Sequence, residues 1–127
     1  MSSARQSLGS IGEREAESFL LGRNLRMLQR NYRCRGGEID LVMTDPNPVD
    51  ADEVLVFVEV RLRGQGARVS ALESIDEHKQ QRLVTAARHF LMANPEWQEH
   101  PCRFDVVALA PANDRLIWVP NAFELDS

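Results

Sequence analysis

The densest apolar run in the chain is VLVFVEVRLR, Val54 to Arg63. Its β-branched residues, set between a Pro/Asp-rich segment and a Gly-rich one, predict a strand. Alternation puts Val54, Val56, Val58 and Val60 on one face and Leu55, Phe57, Glu59 and Arg61 on the other. The valine face is core. The opposite face begins apolar and ends charged. EIDLVM predicts a second, shorter strand, with Glu38, Asp40 and Val42 on one side and Ile39, Leu41 and Met43 on the other. LRMLQRNYRC predicts a third, joined to it by a turn at Gly36-Gly37.

Positions 8 to 22 have helical spacing, with Leu8, Ile11, Gly12, Ala16, Phe19 and Leu20 on one stripe and Gly22 as a stop. Glu15 falls inside that stripe; an ion pair with an arginine of the next strand would account for it. SIDE fits a capping box, Ser74 as N-cap and Glu77 at N3. It opens a helix to about Ala93 whose stripe is Leu83, Ala86, Ala87, Phe90 and Leu91. RFDVVALA and RLIWVP are two further strands paired across PAND. TDPNPVDADE reads as a surface loop and RGQGAR as a flexible connection. The order α-β-β-β-α-β-β predicts an α/β fold, a mixed sheet flanked by helices.

At 127 residues the chain suits one domain, 1–127. It is 43% hydrophobic and 27% charged, ordinary for a globular protein. No apolar run reaches membrane-spanning length, and MSSARQSLGS has no secretory-type hydrophobic region, so a cytoplasmic location is expected. Cys34 and Cys102 match no ligand spacing and read as reduced thiols. His78, His89 and His100 read as satisfied or solvated. Ser74 has no His/Asp partners in an order that would make it a nucleophile. Trp97, Trp118 and Tyr32 read as packing residues. A net charge of −4, from 15 basic and 19 acidic residues, argues against attachment to nucleic acid by bulk charge. Arg26, Arg30, Arg33 and Arg35 nevertheless make a local basic segment.

The chemistry concentrates at the charged end of VLVFVEVRLR. If the strand of Asp40 neighbours that of Glu59, two carboxylates lie side by side. Burying both is costly unless a cation or a proton neutralises them. Arg61 could do so in a plain ion pair at a strand end. Two carboxylates with a cationic side chain also form what a Mg2+-dependent phosphodiester hydrolase requires: hard oxygen ligands for the metal and a positive group for the phosphate.

GSIGEREA, NYRCRGGEIDLV, LVFVEVRLR, KQQRL, RFDVVA and NAF together resemble the YraN family of small bacterial proteins, from about Gly9 to Phe123. That family is similar to the PD-(D/E)XK nuclease superfamily and, within it, to archaeal Holliday junction resolvases. The resemblance implies a restriction-endonuclease-like sheet. It implies Asp40 and Glu59 as metal-binding catalytic acids, Arg61 in the position of the superfamily lysine, and Glu13, from GSIGERE, as a further catalytic ligand. Gln80 corresponds loosely to a polar helper, and Glu38 is a further ligand or an arginine's partner. Mg2+ or Mn2+ is the implied cofactor. Arginine cannot serve as a general base but can hold a phosphate oxygen. Lys79 could substitute from the second helix, or be a snorkelling surface lysine.

The expectation is a metal-dependent endonuclease acting on DNA, branched or damaged DNA among its candidate substrates, in repair or recombination. Arg30, Arg33, Arg35, Arg63, Arg68 and Lys79 would contact the nucleic acid. Resolvases work as dimers, so the resemblance implies a homodimer. The arginine at position 61 and the acidic net charge favour an alternative: a non-catalytic nucleic-acid-binding or protein-interaction module with a degenerate nuclease site. A partner subunit whose acids are merely ion-paired is the third reading.

Overall fold

A computed structural model describes residues 4–46, 53–62, 75–110 and 115–123. Helix α1 (Ala4–Leu21) leads into strands β1 (Arg26–Cys34), β2 (Gly37–Asp45) and β3 (Val54–Leu62). Helix α2 (Glu77–Ala93) and a 3-10 turn (Pro95–Trp97) precede β4 (Cys102–Ala110) and β5 (Arg115–Phe123). The strands form one sheet in sequence order, β1-β2-β3-β4-β5. Neighbours are antiparallel except β3 and β4, which run parallel. A parallel pair needs a long crossover, and α2 lies in it.

The two faces of the sheet carry separate cores. Ala16 and Leu20 of α1 pack on Leu41, Met43, Val56, Val58, Val107 and Leu109. Leu83, Ala86, Ala87 and Phe90 of α2 pack on Ile39, Val42, Leu55, Phe57, Phe104 and Val106. β3 therefore lies at the centre of a three-layer arrangement, with its valine face under α1 and its Leu55/Phe57 face under α2. That is the parity read from the sequence, and it carries Glu59 and Arg61 onto the α2 side of the strand's end.

The β1–β2 turn is pressed onto α2. A Cβ on Gly37 would stand 2.1 Å from the Arg82 carbonyl oxygen, so only glycine fits. Gly36 beside it takes a left-handed φ of 95°.

Helix α1 stops at Leu21 with Gly22 just beyond it, as expected, and the chain then turns through a left-handed Asn24, φ 73°. Three local expectations change. In α1, Ile11 is 50% exposed and Glu15 is exposed, so the buried stripe is Gly12, Ala16 and Leu20. The arginine of the following strand pairs with Glu17, one turn short of Leu20, instead of with Glu15. The cap of α2 is Asp76, whose carboxylate accepts the N–H of Lys79 at 2.9 Å. Ser74, the expected cap, lies outside the described residues, as do Arg63, Arg68, the centre of the acidic loop (47–52) and PAND.

The alternation in β2 also breaks. Ile39 joins Val42 on the α2 face, while Leu41 and Met43 face α1. β1 changes face at the same place, since Tyr32 packs under α2 while Arg30 reaches Glu17 on α1. Asn31, between them, has φ 53°. A left-handed residue rotates the chain out of simple two-residue alternation, and Asn tolerates that conformation better than most.

Candidate functional site

The β2–β3 ladder runs from the pair Asp45–Val54 to the pair Leu41–Val58 and ends there. One residue further, Asp40 sits at the parity break. Its Oδ2 accepts the backbone N–H of Val60 at 2.8 Å, taking a place that a strand carbonyl would have filled. The Asp40 and Glu59 carboxyl groups are hydrogen-bonded to each other. Arg61 Nη1 lies 3.3 Å from Glu59 Oε2. Asp40, Glu59 and Arg61 thus meet where two central strands separate.

Burial controls the ionisation of this group. Loss of solvent pushes the Asp40 carboxyl up, while the Val60 N–H and the bond to Glu59 pull it down. Glu59 is pushed up to about 8, first by burial and then by the charge and hydrogen bond of Asp40; Arg61 opposes the rise. Near neutral pH the pair therefore holds a proton between two carboxyl groups. Such a proton can be exchanged for a cation, because either one cancels the buried charge.

The surroundings differ on the two faces. Under α2, Glu59 lines a cavity of about 60 Å³ with Glu38, Lys79, Arg82 and Leu83. Beside α1, a groove of about 600 Å³ is lined by Glu13, Arg14, Glu17, Ser18, Arg30, Asn31 and Leu41. Glu13 is near enough to Asp40 for that charge, after burial, to raise its pKa; Asn31 and then Arg33 lower it. Three acids, Glu13, Asp40 and Glu59, thus follow one another from the α1 side to the α2 side. Among the described residues, no three His, Cys, Asp or Glu side chains converge closely enough to cage a metal ion.

The remaining residues singled out from the sequence separate into groups. Glu38 is an exposed rim residue, 3.4 Å from Arg33. Lys79 reaches the Glu59 cavity from α2. Gln80 does not: its amide donates to the Ile75 carbonyl at 3.2 Å, and it lines a different groove with Glu77, Gln81, Val84, Thr85 and Arg88. Arg30 is held by both carboxylate oxygens of Glu17, at 2.7 and 2.5 Å. Arg35 is exposed at the hairpin. Tyr32 packs edge-on against Phe90, centroids 5.2 Å apart, and its hydroxyl meets His89 Nδ1. His100 Nδ1 lies 2.8 Å from the Glu53 carbonyl oxygen.

Sequence reasoning passed over one buried acid. Asp105 is fully buried in β4 and binds Arg103 Nε at 2.9 Å and Nη2 at 3.2 Å, Trp118 Nε1 at 3.0 Å and the Asn121 N–H at 2.9 Å. Arg103 also reaches Asp45 at 3.2 Å. RFDVV carried the signal: an Arg and an Asp two apart in a strand share a face.

The profile of the uncharacterised protein family UPF0102 matches residues 12–109. A UPF0102 protein of Pseudomonas putida strain GB-1 is 51% identical over 119 residues, 91% of this chain and 92% of its own length. One from Stutzerimonas stutzeri is 50% identical over 124 residues, 96% of this chain and 98% of its own. One from Alcanivorax borkumensis is 42% identical over 123 residues, 94% of each.

Proposed function

The chain belongs to the UPF0102 family, and we propose that it is a metal-dependent phosphodiester hydrolase acting on DNA, on a restriction-endonuclease-like sheet. The observation that carries the reading is the pair Asp40–Glu59: two half-buried carboxyl groups facing each other, neutralised by an exchangeable proton, at the fork of two strands. A purely structural pair would be met by enough fixed donors to satisfy both carboxylates, as Asp105 is by four hydrogen bonds; here one backbone N–H and one Arg61 contact at 3.3 Å serve two carboxyl groups.

The donor set fits a hard divalent cation. Mg2+ is commonly bound through one or two carboxylates, keeping several waters. Asp40 and Glu59 would supply those ligands, and Glu13 would approach from α1. A cation held there would supply Lewis acidity toward a phosphodiester and an acidified water. The chain's own groups do the rest. The Val60 N–H fixes the Asp40 carboxylate in place. Arg61 and Lys79 supply positive charge on the α2 side, where developing phosphate charge is stabilised. Arg61 is always protonated, so it orients and neutralises without taking a proton. Arg33 and Arg35 offer backbone contacts from the β1–β2 hairpin, with Arg30 released from Glu17 if it joins them.

The Arg61–Glu59 contact favours a second reading, a DNA-binding module whose acids are ion-paired and whose rate is lost. Incubation with single-stranded, duplex, flap and four-way DNA plus Mn2+ separates the two. Cleavage abolished in both Asp40→Ala and Glu59→Ala supports the enzyme. Cleavage that persists in both variants comes from a contaminant and refutes it. If wild type binds DNA without cutting, Arg61→Lys tests whether the guanidinium is the defect, through a gain of cleavage.

A further inference from the structure

We infer that Arg82 is a substrate-binding residue: with Lys79 it grips one backbone phosphate of the nucleic acid beside Glu59, without reading the bases. The inference rests on the nuclease reading above and adds the contact that seats the strand on α2. Lys79 stands three residues before Arg82 and four before Leu83, so the three share one side of the helix. Leu83 is buried in the core between α2 and the sheet, which turns that side toward the strands. Lys79 and Arg82 therefore wall the cavity of about 60 Å³ that Glu38 and Glu59 line from β2 and β3. The β1–β2 hairpin fixes this placement. Gly37 lies so close that an added Cβ would be 2.1 Å from the Arg82 carbonyl oxygen. Arg82 thus stands where the hairpin that carries Arg33 and Arg35 meets the cavity.

The charge balance calls for an anion. Glu59 has Arg61 at 3.3 Å and Glu38 has Arg33 at 3.4 Å. Among the described residues, the side chains of Lys79 and Arg82 make no ion pair or hydrogen bond, so two positive charges border the cavity unmatched. A guanidinium binds phosphate oxygens in bidentate fashion, and an ammonium binds them as a point charge. The cavity is far below the roughly 300–1,000 Å³ that encloses a drug-sized ligand. Base and sugar stay outside it, and a contact to phosphate alone carries no sequence information.

The test measures binding of labelled duplex DNA by fluorescence anisotropy in EDTA, over a range of salt, for wild type, Arg82→Gln and Arg88→Gln. Arg88 is on the same helix but lines the groove of Gln81 and Thr85, so its variant makes the same charge change away from the site. Arg82 is exposed, and the thermal midpoint of Arg82→Gln should match wild type. Its affinity should fall on the order of tenfold at about 0.1 M salt, with the slope of log K against log salt shallower by about 0.9. The loss should be the same for duplexes of different sequence, and Arg88→Gln should bind as wild type does. Equal losses in the two variants, wild-type affinity in Arg82→Gln, or a loss that depends on sequence overturns the inference. Each leaves cleavage through Asp40 and Glu59 standing. Absence of DNA binding by wild type overturns both.

Discussion

Asp40, half-buried, and Asp105, fully buried, are acids on inner strands of one sheet, each beside an edge strand that turns through a left-handed asparagine, Asn31 or Asn121. Their surroundings are opposite. Asp105 receives four hydrogen bonds, two from a guanidinium that also holds Asp45. Its charge is cancelled by groups that cannot leave. Asp40 receives one backbone N–H and faces another carboxyl group. Its charge problem is met by a proton. A carboxylate with fixed donors is part of the scaffold. A carboxylate facing a carboxylate is a place where something exchangeable belongs.

The largest expected effect of that contrast is on stability. Asp105→Ala leaves the half-buried Arg103 guanidinium with Asp45 alone and the Trp118 and Asn121 N–H groups short of a partner, and should cost about 3–5 kcal/mol in urea unfolding. Asp40→Asn, at a less deeply buried position, keeps an acceptor for Val60 and removes a charge, and should change stability by less than about 1 kcal/mol. Equal losses at the two sites would erase the distinction.

Next comes pH. The folded pKa of Glu59 lies above its unfolded value of 4.5, at about 8. The folded state therefore binds this proton more tightly. Its stabilising contribution is full below pH 4.5 and is lost as pH rises toward 8, with a slope no steeper than about 1.4 kcal/mol per pH unit. Glu59→Gln should flatten that decline in denaturation curves taken from pH 5 to 8. An unchanged decline in the variant would mean that Glu59 titrates normally.

The smallest effect should come from Arg30→Ala. Its pair with Glu17 is exposed on the arginine side, at 58%, and such pairs contribute little. The thermal midpoint should stay within error of wild type, and a clear drop would show that the groove wall beside α1 is structural.

Much of the fold was legible because it rests on β3 and α2. Val54 to Val58 and Val60 of β3 alternate between two cores, and continuing that alternation placed Glu59 and Arg61 on one face. The adjacency of Asp40 and Glu59 was legible from strand order, but the face of Asp40 was not. Parity counting assumes uniform strands, and nothing in NYRC announces that Asn31 adopts a left-handed conformation. The α2 cap was misplaced because SIDEHK offers two good caps, and Asp76 lies three residues before the amide that needs an acceptor. Glu15 was assigned to the α1 stripe because a helical face is broad on paper; Gly12, Ala16 and Leu20 narrow it to one line facing the sheet.

The central claim, that Asp40 and Glu59 hold a cation in exchange for a proton, is tested most directly by calorimetric titration with Mn2+ at pH 6, 7 and 8. Wild type and Asp40→Ala should be run side by side in buffers of different ionisation enthalpy. Wild type should bind with proton release and gain up to tenfold in affinity per pH unit below about 8, while Asp40→Ala should not bind. Equal binding by the two proteins, or wild-type binding without proton release, would contradict the account.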